Sequence, residues 1–282
     1  MDEKEEKLLN DLNKLISNFG GNAGLACTNL TTKTEININS EESFPTASSI
    51  KVPILVELYR QSDDGCIDLD STITNTSGNK TLGSGVLVNL SDHLEMTIRD
   101  AAILMIIISD NTATNLCIDV IGREAVNATM VKLGLTQTEL RGKIIWDQIL
   151  DGNENLGVST PQDLMRLLIM IEKQEILTSG SCDEILSILK KTQTSDRIKR
   201  FLPINPFDRI EGREPKLTVA HKTGALKGVR NDHGIIYAPK CTYVLSMMTK
   251  DCPDHRWTPE NAATMLIAKT SSIVFDRWIG FI

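Results

Sequence analysis

The chain has 282 residues, of which 41% are hydrophobic and 24% charged, and its formal net charge at pH 7 is −7. A chain of this kind can bury a sizeable core. The acidic balance argues against nonspecific binding to nucleic acid or to an anionic membrane, because both require a basic surface. We therefore expect no nucleic-acid partner and no membrane partner, and the sequence leaves the oligomeric state open.

The N-terminal residues MDEKEEKLLNDLNKLI are acidic and helical in pattern. They lack the basic start and the continuous apolar stretch of a secretory signal. The sequence as written predicts a cytoplasmic location, or a periplasmic or secreted one if a signal has been trimmed. The longest apolar run, Ala101 to Ile108, is too short to span a bilayer. The six cysteines form no C-x-x-C pair, so we expect no metal and no cofactor.

Hydrophobic spacing and turn residues predict the elements of the chain in order. These are a helix over about 2–19, strands over 23–29 and 34–38, a helix over 48–60, a polar loop over 78–92, helices from Thr97, Asn111 and Glu124, a long ordered loop over 140–158, helices from Thr160 and Ser181, strands over 216–221, 232–237 and 242–249, and a closing helix from Thr258. Strands at both ends with helices in the middle indicate an α/β layer interrupted by an all-helical insertion.

The first motif is Ser48-Ser49-Ile50-Lys51 at the start of a predicted helix. Three residues of separation place Ser48 and Lys51 on one face. A lysine amine there can accept the serine proton if burial or a neighbouring positive charge lowers its pKa. Taken alone, the same residues also suit a polar helix start with a surface lysine.

The second motif, Ser109-Asp110-Asn111, follows the apolar helix, and the third, Lys222-Thr223-Gly224, ends a β-like run. A hydroxyl and an amide at a buried helix end can pass a proton and orient a substrate amide. Lys222 offers positive charge, Thr223 can bind a carboxylate, and Gly224 allows a substrate backbone to come close. Alone, the second motif suits a helix N-cap, and the third suits an exposed strand before a turn.

Together, S-x-x-K, S-D-N and K-T-G in this order are the motifs of class A β-lactamases and penicillin-binding proteins. Residues 97–116 and 222–232 resemble the family's segments around its second and third motifs, and residues 83–86 look like a loop of related serine hydrolases. The resemblance covers roughly residues 20–280. It implies an α/β (α+β sandwich) fold with an antiparallel five-stranded sheet, terminal helices packed on it and an inserted all-helical domain. The implied domains are 1–47 with 197–282 and 48–196, with the active site in the cleft between them.

The resemblance also assigns roles. Ser48 would be acylated, Lys51 would be the base or part of a proton relay, and Ser109 would pass the proton to the leaving nitrogen. Asn111 would bind a substrate amide, and Lys222, Thr223 and Arg230 would hold the substrate carboxylate, although the turn before Arg230 is one residue shorter than in common members. The backbone N–H groups of Ser48 and Ala225 would form the oxyanion hole.

The chain departs from the family in the 140–158 loop. Class A β-lactamases carry there a Glu and an Asn that hold the water that releases the acyl-enzyme, and those positions fall on Ile144 and Gln148. An isoleucine cannot activate water. Asp147 and Glu139 are the nearby acids, and each suits either a replacement base or a solvated loop carboxylate.

The resulting prediction is a class A β-lactamase-like serine hydrolase, acting on a β-lactam or a related amide or ester, with slow release of the acyl group. A D-alanyl-D-alanine peptidase or esterase of the penicillin-binding type is the first alternative. A β-lactam sensor that is acylated without turnover is the second. The expected partner in each case is a small-molecule or peptide substrate.

Overall fold

A computed structural model describes residues 3–208 and 210–280 of the chain. The α-helices are α1 Glu3–Ser17, α2 Lys51–Asp63, α3 Ile98–Ile107, α4 Asn111–Ile121, α5 Arg123–Lys132, α6 Trp146–Asp151, α7 Pro161–Glu172, α8 Ser179–Lys190 and α9 Ala262–Trp278. The strands are β1 Asn22–Asn29, β2 Glu35–Ile38, β3 Phe44–Pro45, β4 Thr72–Asn75, β5 Leu94–Thr97, β6 Glu139–Leu140, β7 Gly157–Ser159, β8 Thr218–Leu226, β9 Val229–Tyr237 and β10 Thr242–Lys250. Short 3₁₀ turns span Ala47–Ile50 and Leu87–Asn89.

The main sheet is five-stranded and antiparallel, in the order β2-β1-β10-β9-β8. The predicted fold class is therefore confirmed. Strands β1 and β2 come from the start of the chain and β8 to β10 from its end, so the helical segment between them leaves and re-enters the sheet. The predicted division into two domains stays a prediction.

Two hydrophobic cores lie on opposite faces of the sheet. One core joins α1 and α9 to the sheet through residues such as Leu8, Leu12, Ile267 and Val274. The other joins the helices from α2 to α8 to the opposite face, where Ala220 and Val244 are buried. Strand β8 is at the edge of the sheet and contacts the 3₁₀ turn at residues 47–50, which places that turn against the sheet.

Several helix starts follow from predicted caps. The Thr97 and Thr160 side chains accept hydrogen bonds from the N–H groups of Asp100 and Asp163, at 3.0 and 3.1 Å. The closing helix, by contrast, begins at Ala262 with Asn261 as its cap, rather than at Thr258-Pro259. The 140–158 segment also contains the short helix α6, where the sequence predicted only loop.

No helix in the described ranges is both long enough and apolar enough to cross a membrane.

Candidate active site

Ser48 lies in a tight turn directly before α2. The 3₁₀ turn Ala47–Ile50 precedes Lys51, the first residue of α2, so the predicted helix over 48–60 is shifted to Lys51–Asp63. Ala47 has φ 46°, a left-handed conformation that is strained for a residue other than glycine. Ser48 is half-buried, and its hydroxyl makes no hydrogen bond within the described part of the chain. The nucleophile predicted from the sequence is therefore accessible and uncommitted.

Lys51 is fully buried and joins α2 to the junction between α3 and α4. Its Nζ donates to the Ser109 carbonyl oxygen at 2.8 Å, and it lies 3.1 Å from Ser109 Oγ and 3.0 Å from Asn111 Oδ1. The amine is thus turned toward the second motif in this resting arrangement. Hydrogen bonds between catalytic groups often tighten only when substrate binds, so this geometry leaves Lys51 a candidate base for Ser48.

Lys222 approaches Ser109 from the sheet. It lies within β8, not at its end as the sequence predicted, because β8 continues to Leu226 in register with β9. Its Nζ is 3.1 Å from Ser109 Oγ and 3.0 Å from the Thr223 carbonyl oxygen. The Ser109 hydroxyl therefore lies between two lysine amines, and the three sequence motifs meet at one point.

Burial of the two lysines changes their protonation. It lowers the pKa of Lys51 well below its usual value, and the charge of Lys222 lowers it further. Burial, followed by the charge of Arg197, lowers the pKa of Lys222 to about 7. A lysine that is neutral near pH 7 can accept a proton, so the cluster can move protons through the Ser109 hydroxyl.

Asp110 and Asn111 hold the junction in place. Asp110 is the N-cap of α4, and its carboxylate accepts from the N–H groups of Ala113, Val86 and Leu87 at 2.9, 2.6 and 2.9 Å. Asn111 donates through Nδ2 to the Leu82 carbonyl oxygen at 2.9 Å while its Oδ1 faces Lys51. Both ends of the Asn111 amide are thus already engaged by the protein in this structure.

The edge of β8 borders the turn at residues 47–50, called here the nucleophile turn because it carries Ser48, the predicted nucleophile. A Cβ built on Gly224 would lie 2.5 Å from the Thr46 carbonyl oxygen and 2.9 Å from Ser49 Oγ, so only glycine allows the strand to approach this turn. The space that the sequence assigned to a substrate backbone at Gly224 is occupied here by the protein's own turn.

The backbone of Ala225 points to the open side of the sheet. Its partner in β9 is Arg230, whose N–H donates to Thr249 Oγ1 in the direction of β10 at 3.0 Å. Arg230 O accepts from the same hydroxyl at 2.7 Å. In an antiparallel pair, two residues that face each other point their N–H groups either toward each other or away from each other. Since the Arg230 N–H points toward β10, the Ala225 N–H points away from β9. It is therefore free to serve the oxyanion role predicted for it.

Arg230 is directed elsewhere than the sequence predicted. Its guanidinium donates to the carbonyl oxygens of Leu226, Val229 and Arg256 at 2.7, 2.8 and 2.9 Å. It also lies 4.4 Å from the ring centroid of Trp257. These contacts bind the tip of the β8–β9 hairpin to the 254–257 segment.

Arg197 is a cation of the site that no motif indicated. It is buried, its Nη1 donates to the Asn231 carbonyl oxygen at 3.2 Å, and its Nε forms an ion pair with Asp196 at 3.7 Å, beyond hydrogen-bond distance. Asn231 is the β9 partner of Gly224 in the third motif, so Arg197 lies near that motif, and its charge lowers the pKa of Lys222. In the sequence it is one basic residue among several after α8, and only the fold brings it to β8 and β9.

The 140–158 loop carries Ile144 into the interior. The Ile144 N–H donates to Asn115 Oδ1 at 2.8 Å, and its carbonyl oxygen accepts from Asn115 Nδ2 at 2.9 Å and from Thr81 Oγ1 at 3.1 Å. Asp147 and Gln148 are exposed, and Glu139 is exposed and paired with Arg141 at 2.9 Å. Among residues 139–149, the position that the sequence assigned to the family's Glu is thus a buried isoleucine, and the carboxylates nearby are exposed.

A cavity of about 570 Å³ opens beside the site. Its apolar wall consists of Trp146, Ile149, Leu226 and Trp257. A Cβ on Gly83 would lie 3.3 Å from the Trp146 ring and 2.6 Å from Asn111 Nδ2, so this wall adjoins the second motif. In the described residues, no group of three or more His, Cys, Asp or Glu side chains could hold a metal ion.

The fold and the converging motifs define a protein of the active-site-serine, β-lactamase-related class. The model of the β-lactamase enzyme family matches residues 7–278. The chain is 27% identical to a β-lactamase of Bacillus licheniformis, over 96% of this chain and 85% of that protein. The chain belongs to the β-lactamase enzyme family, and the predicted resemblance is confirmed.

Two solved structures are similar over nearly the whole chain. A β-lactamase from Sphaerobacter thermophilus superposes with a TM-score of 0.84 at 29% identity, covering 98% of this chain and 97% of that one. A point mutant of PBP-A, solved as an acyl-enzyme complex with penicillin G, superposes with a TM-score of 0.83 at 29% identity, covering 96% of each chain.

The depressed pKa of Lys222 predicts a pH dependence of stability. Unfolding returns the lysine to its ordinary pKa of ~10.4, so between pH 7 and that value the unfolded chain binds more protons. The free energy of unfolding therefore loses a contribution of up to about 1.4 kcal/mol per pH unit as the pH falls through this range. Denaturant unfolding of Lys222→Met should show a shallower decline than the parent.

Lys132→Met is the matched control, because Lys132 is exposed on α5 and its replacement removes a lysine without touching the cluster. Its pH dependence should follow that of the parent. Parallel curves for the parent and Lys222→Met would show that Lys222 does not have a depressed pKa.

Proposed function

We propose that this chain is a serine hydrolase in which Ser48 is acylated by a β-lactam, or by a related amide or ester. The acyl group is then released slowly by hydrolysis. The observation that supports this proposal is the contact of both buried lysines, Lys51 and Lys222, with the Ser109 hydroxyl, where Lys51 follows Ser48 by one helical turn along the chain. Folding alone does not require two buried amines at one hydroxyl, since each costs free energy to bury.

In the acylation step, the Ser48 hydroxyl attacks the carbonyl carbon of the substrate and its proton passes to the neutral amine of Lys51. The new C–O bond makes a tetrahedral oxyanion. When that intermediate collapses, the C–N bond breaks and the Ser109 hydroxyl gives its proton to the departing nitrogen. Ser109 regains a proton from Lys51, so the lysine relay ends as it began and the product is an ester on Ser48.

The oxyanion would accept hydrogen bonds from the N–H groups of Ser48 and Ala225. Donors of this kind contribute about 3–4 kcal/mol each to the transition state. A substrate carboxylate would meet Thr223, Lys222 and Arg197. We assign the guanidinium to Arg197 rather than to Arg230, because Arg230 already donates to three backbone carbonyls.

Release of the acyl group needs an activated water, and the loop supplies no base for it. The side chain of Ile144 is apolar and 2% exposed, and Asp147 and Glu139 are exposed. Acylation therefore outpaces deacylation in this proposal. A mutant of PBP-A, which is similar to this chain, was solved as an acyl-enzyme complex with penicillin G, so penicillin G is a suitable acylating substrate to test here.

The missing base also favours a second candidate function, a peptidase or esterase of the penicillin-binding type. Such an enzyme would release a less hindered acyl group that β-lactams do not provide. A protein that is acylated once without turnover would show the same stable ester but no hydrolysis of any substrate.

The first test is intact-protein mass spectrometry after mixing with penicillin G, in parallel with a chromogenic cephalosporin assay. We expect a mass increase equal to one penicillin G on Ser48. The cephalosporin should give a burst of colour of about one equivalent per active site, followed by a steady rate no faster than the decay of its own adduct. Ser48→Ala should show neither. Rapid colour without a lasting adduct would contradict slow release, and no adduct with no colour would overturn the β-lactam proposal.

A base at position 144 should speed release. In Ile144→Glu the backbone clamp of Asn115 is retained, so the new carboxylate should occupy the position of Ile144. We expect decay of the penicillin adduct to accelerate by about 10²-fold, the typical contribution of a general base. The acceleration should increase with pH, because burial raises the pKa of the new carboxyl and only its ionised form accepts a proton.

Ile144→Gln is the matched control, since glutamine has nearly the same size as glutamate and is also polar, but cannot accept the proton of the attacking water. Its adduct should decay at the parental rate. Equal decay of the Glu and Gln variants would show that the missing base is not what limits release.

The proposal that Arg197 binds the substrate carboxylate can be tested by comparing one β-lactam in two forms, the free carboxylate and the methyl ester. In the parent, the acid should acylate faster than the ester. Arg197→Gln should lower the acylation efficiency of the acid by about 10- to 100-fold, the worth of a charge-assisted hydrogen bond, and that of the ester far less. If Arg230→Gln instead removes the preference for the acid, the carboxylate binds at Arg230.

A further inference from the structure

A buried histidine is hydrogen-bonded to the residue that follows the nucleophile. His233 Nε2 lies 2.8 Å from Ser49 Oγ, and His233 Nδ1 lies 2.7 Å from Ser246 Oγ. Exposure is 1% for His233 and 0% for both serines. The chain of contacts runs from β10 through β9 to the turn that holds Ser48.

That turn is strained and needs support from outside. Ala47 has φ 46°, immediately before Ser48. At the start of the turn, the Ser49 N–H donates to the Thr46 carbonyl oxygen at 3.0 Å, and at its end the Lys51 N–H donates to the Ser48 and Ser49 carbonyl oxygens. Asn231, two residues before His233 and on the same face of β9, donates to the Pro45 and Thr46 carbonyl oxygens at 2.9 and 3.0 Å. Strand β9 thus holds the turn on both sides of Ala47, with Asn231 before it and His233 after it.

Ser49 also contacts the strand that carries the third motif. A Cβ on Gly224 would lie 2.9 Å from Ser49 Oγ and 3.1 Å from Ser49 N, so the turn and β8 are in contact at this residue. A shift of Ser49 would move Ser48 relative to the Ala225 N–H, the proposed oxyanion donor. The position of the nucleophile is therefore coupled to the hydrogen bond that Ser49 makes with His233.

Burial keeps the imidazole neutral. Burial lowers the pKa of His233 to about 3, the charges of Lys222, Arg197 and His221 act in the same direction, and Asp232 opposes them. A neutral imidazole has one donor and one acceptor, and each serine hydroxyl can fill either role, so both tautomers satisfy both contacts. The link persists throughout the pH range in which the lysine cluster titrates.

We propose that Ser49 and His233 are positioning residues for acylation: the hydrogen bond between them holds the strained turn so that Ser48 faces the substrate carbonyl and the oxyanion donors. This inference rests on the proposed function, because it takes Ser48 as the nucleophile. It differs from a purely structural role in predicting a slower reaction at each folded active site, and not only fewer folded molecules.

The test compares Ser49→Ala with Ser246→Ala. Each removes one hydrogen bond from the same imidazole, but only Ser49 belongs to the nucleophile turn. The time course of adduct formation with penicillin G is followed by rapid quenching and mass spectrometry. Its rate constant gives the acylation rate per reactive site, and its final amplitude gives the fraction of sites that react. Ser49→Ala should react about 10- to 100-fold more slowly per site, as expected for a displaced reacting group. Ser246→Ala should lose less than about 3-fold.

A second pair of variants keeps the proposal testable if Ser49→Ala does not fold. The terminal amide of Gln reaches the position of the histidine Nε2, whereas that of Asn reaches the position of Nδ1. His233→Gln can therefore keep the contact with Ser49, and His233→Asn can keep the contact with Ser246. At equal folded fraction, the Gln variant should acylate at least about 5-fold faster per site than the Asn variant.

The outcomes separate the two proposals. A parent chain that forms no adduct on Ser48 would overturn the proposed function and this inference with it. An acylated parent whose Ser49→Ala variant reacts at the parental rate per site, or His233 variants that react equally, would overturn the positioning role alone and leave the proposed function intact.

Discussion

The structure depends on a single hydroxyl shared by two buried amines. Ser109 Oγ lies 3.1 Å from both Lys51 and Lys222, and these residues come from a helix start, a helix junction and a sheet edge. Removing two ammonium groups from water costs several kcal/mol for each ion that stays charged. The protein reduces this cost by lowering both pKa values, and the same adjustment makes an amine able to accept a proton near neutral pH. The stability cost and the chemical capacity therefore have one origin.

Backbone strain is concentrated at the same place. Ala47 and Ser109 both have positive φ, at 46° and 58°, one before the proposed nucleophile and one at the shared hydroxyl. Conformations of this kind cost about 1–3 kcal/mol each and persist only where surrounding contacts hold them. Asp110 fixes the junction through its cap and its bonds to residues 86 and 87, and β9 fixes the nucleophile turn through side chains that reach across to it. The rigid sheet and the helix caps thus maintain a geometry that the local sequence would not adopt alone.

The parts of this site that the sequence could predict are those set by short-range geometry. Ser48 and Lys51 are one turn apart, and the Asp110 cap depends on neighbouring residues, so the motifs indicated both the fold class and the cluster. Arg197 could not be found in this way, because its place beside Lys222 depends on the path of the chain after α8. The direction of the Arg230 side chain depends on the hairpin register and on the segment around Trp257. Ser49 and His233 are 184 residues apart, and no local pattern pairs them.

The absence of a base at position 144 concerns one side chain and not the loop that carries it. The backbone N–H and carbonyl of Ile144 are held by the Asn115 amide, and these contacts do not depend on which side chain the residue has. In the proposed mechanism, acylation uses Lys51, Ser109 and the oxyanion donors, all on elements that the loop does not build. In the same proposal, release of the acyl group uses a water activated at the loop. The two proposed half-reactions therefore draw on separate structural elements, so a chain of this fold could keep the first and lose the second without refolding its core.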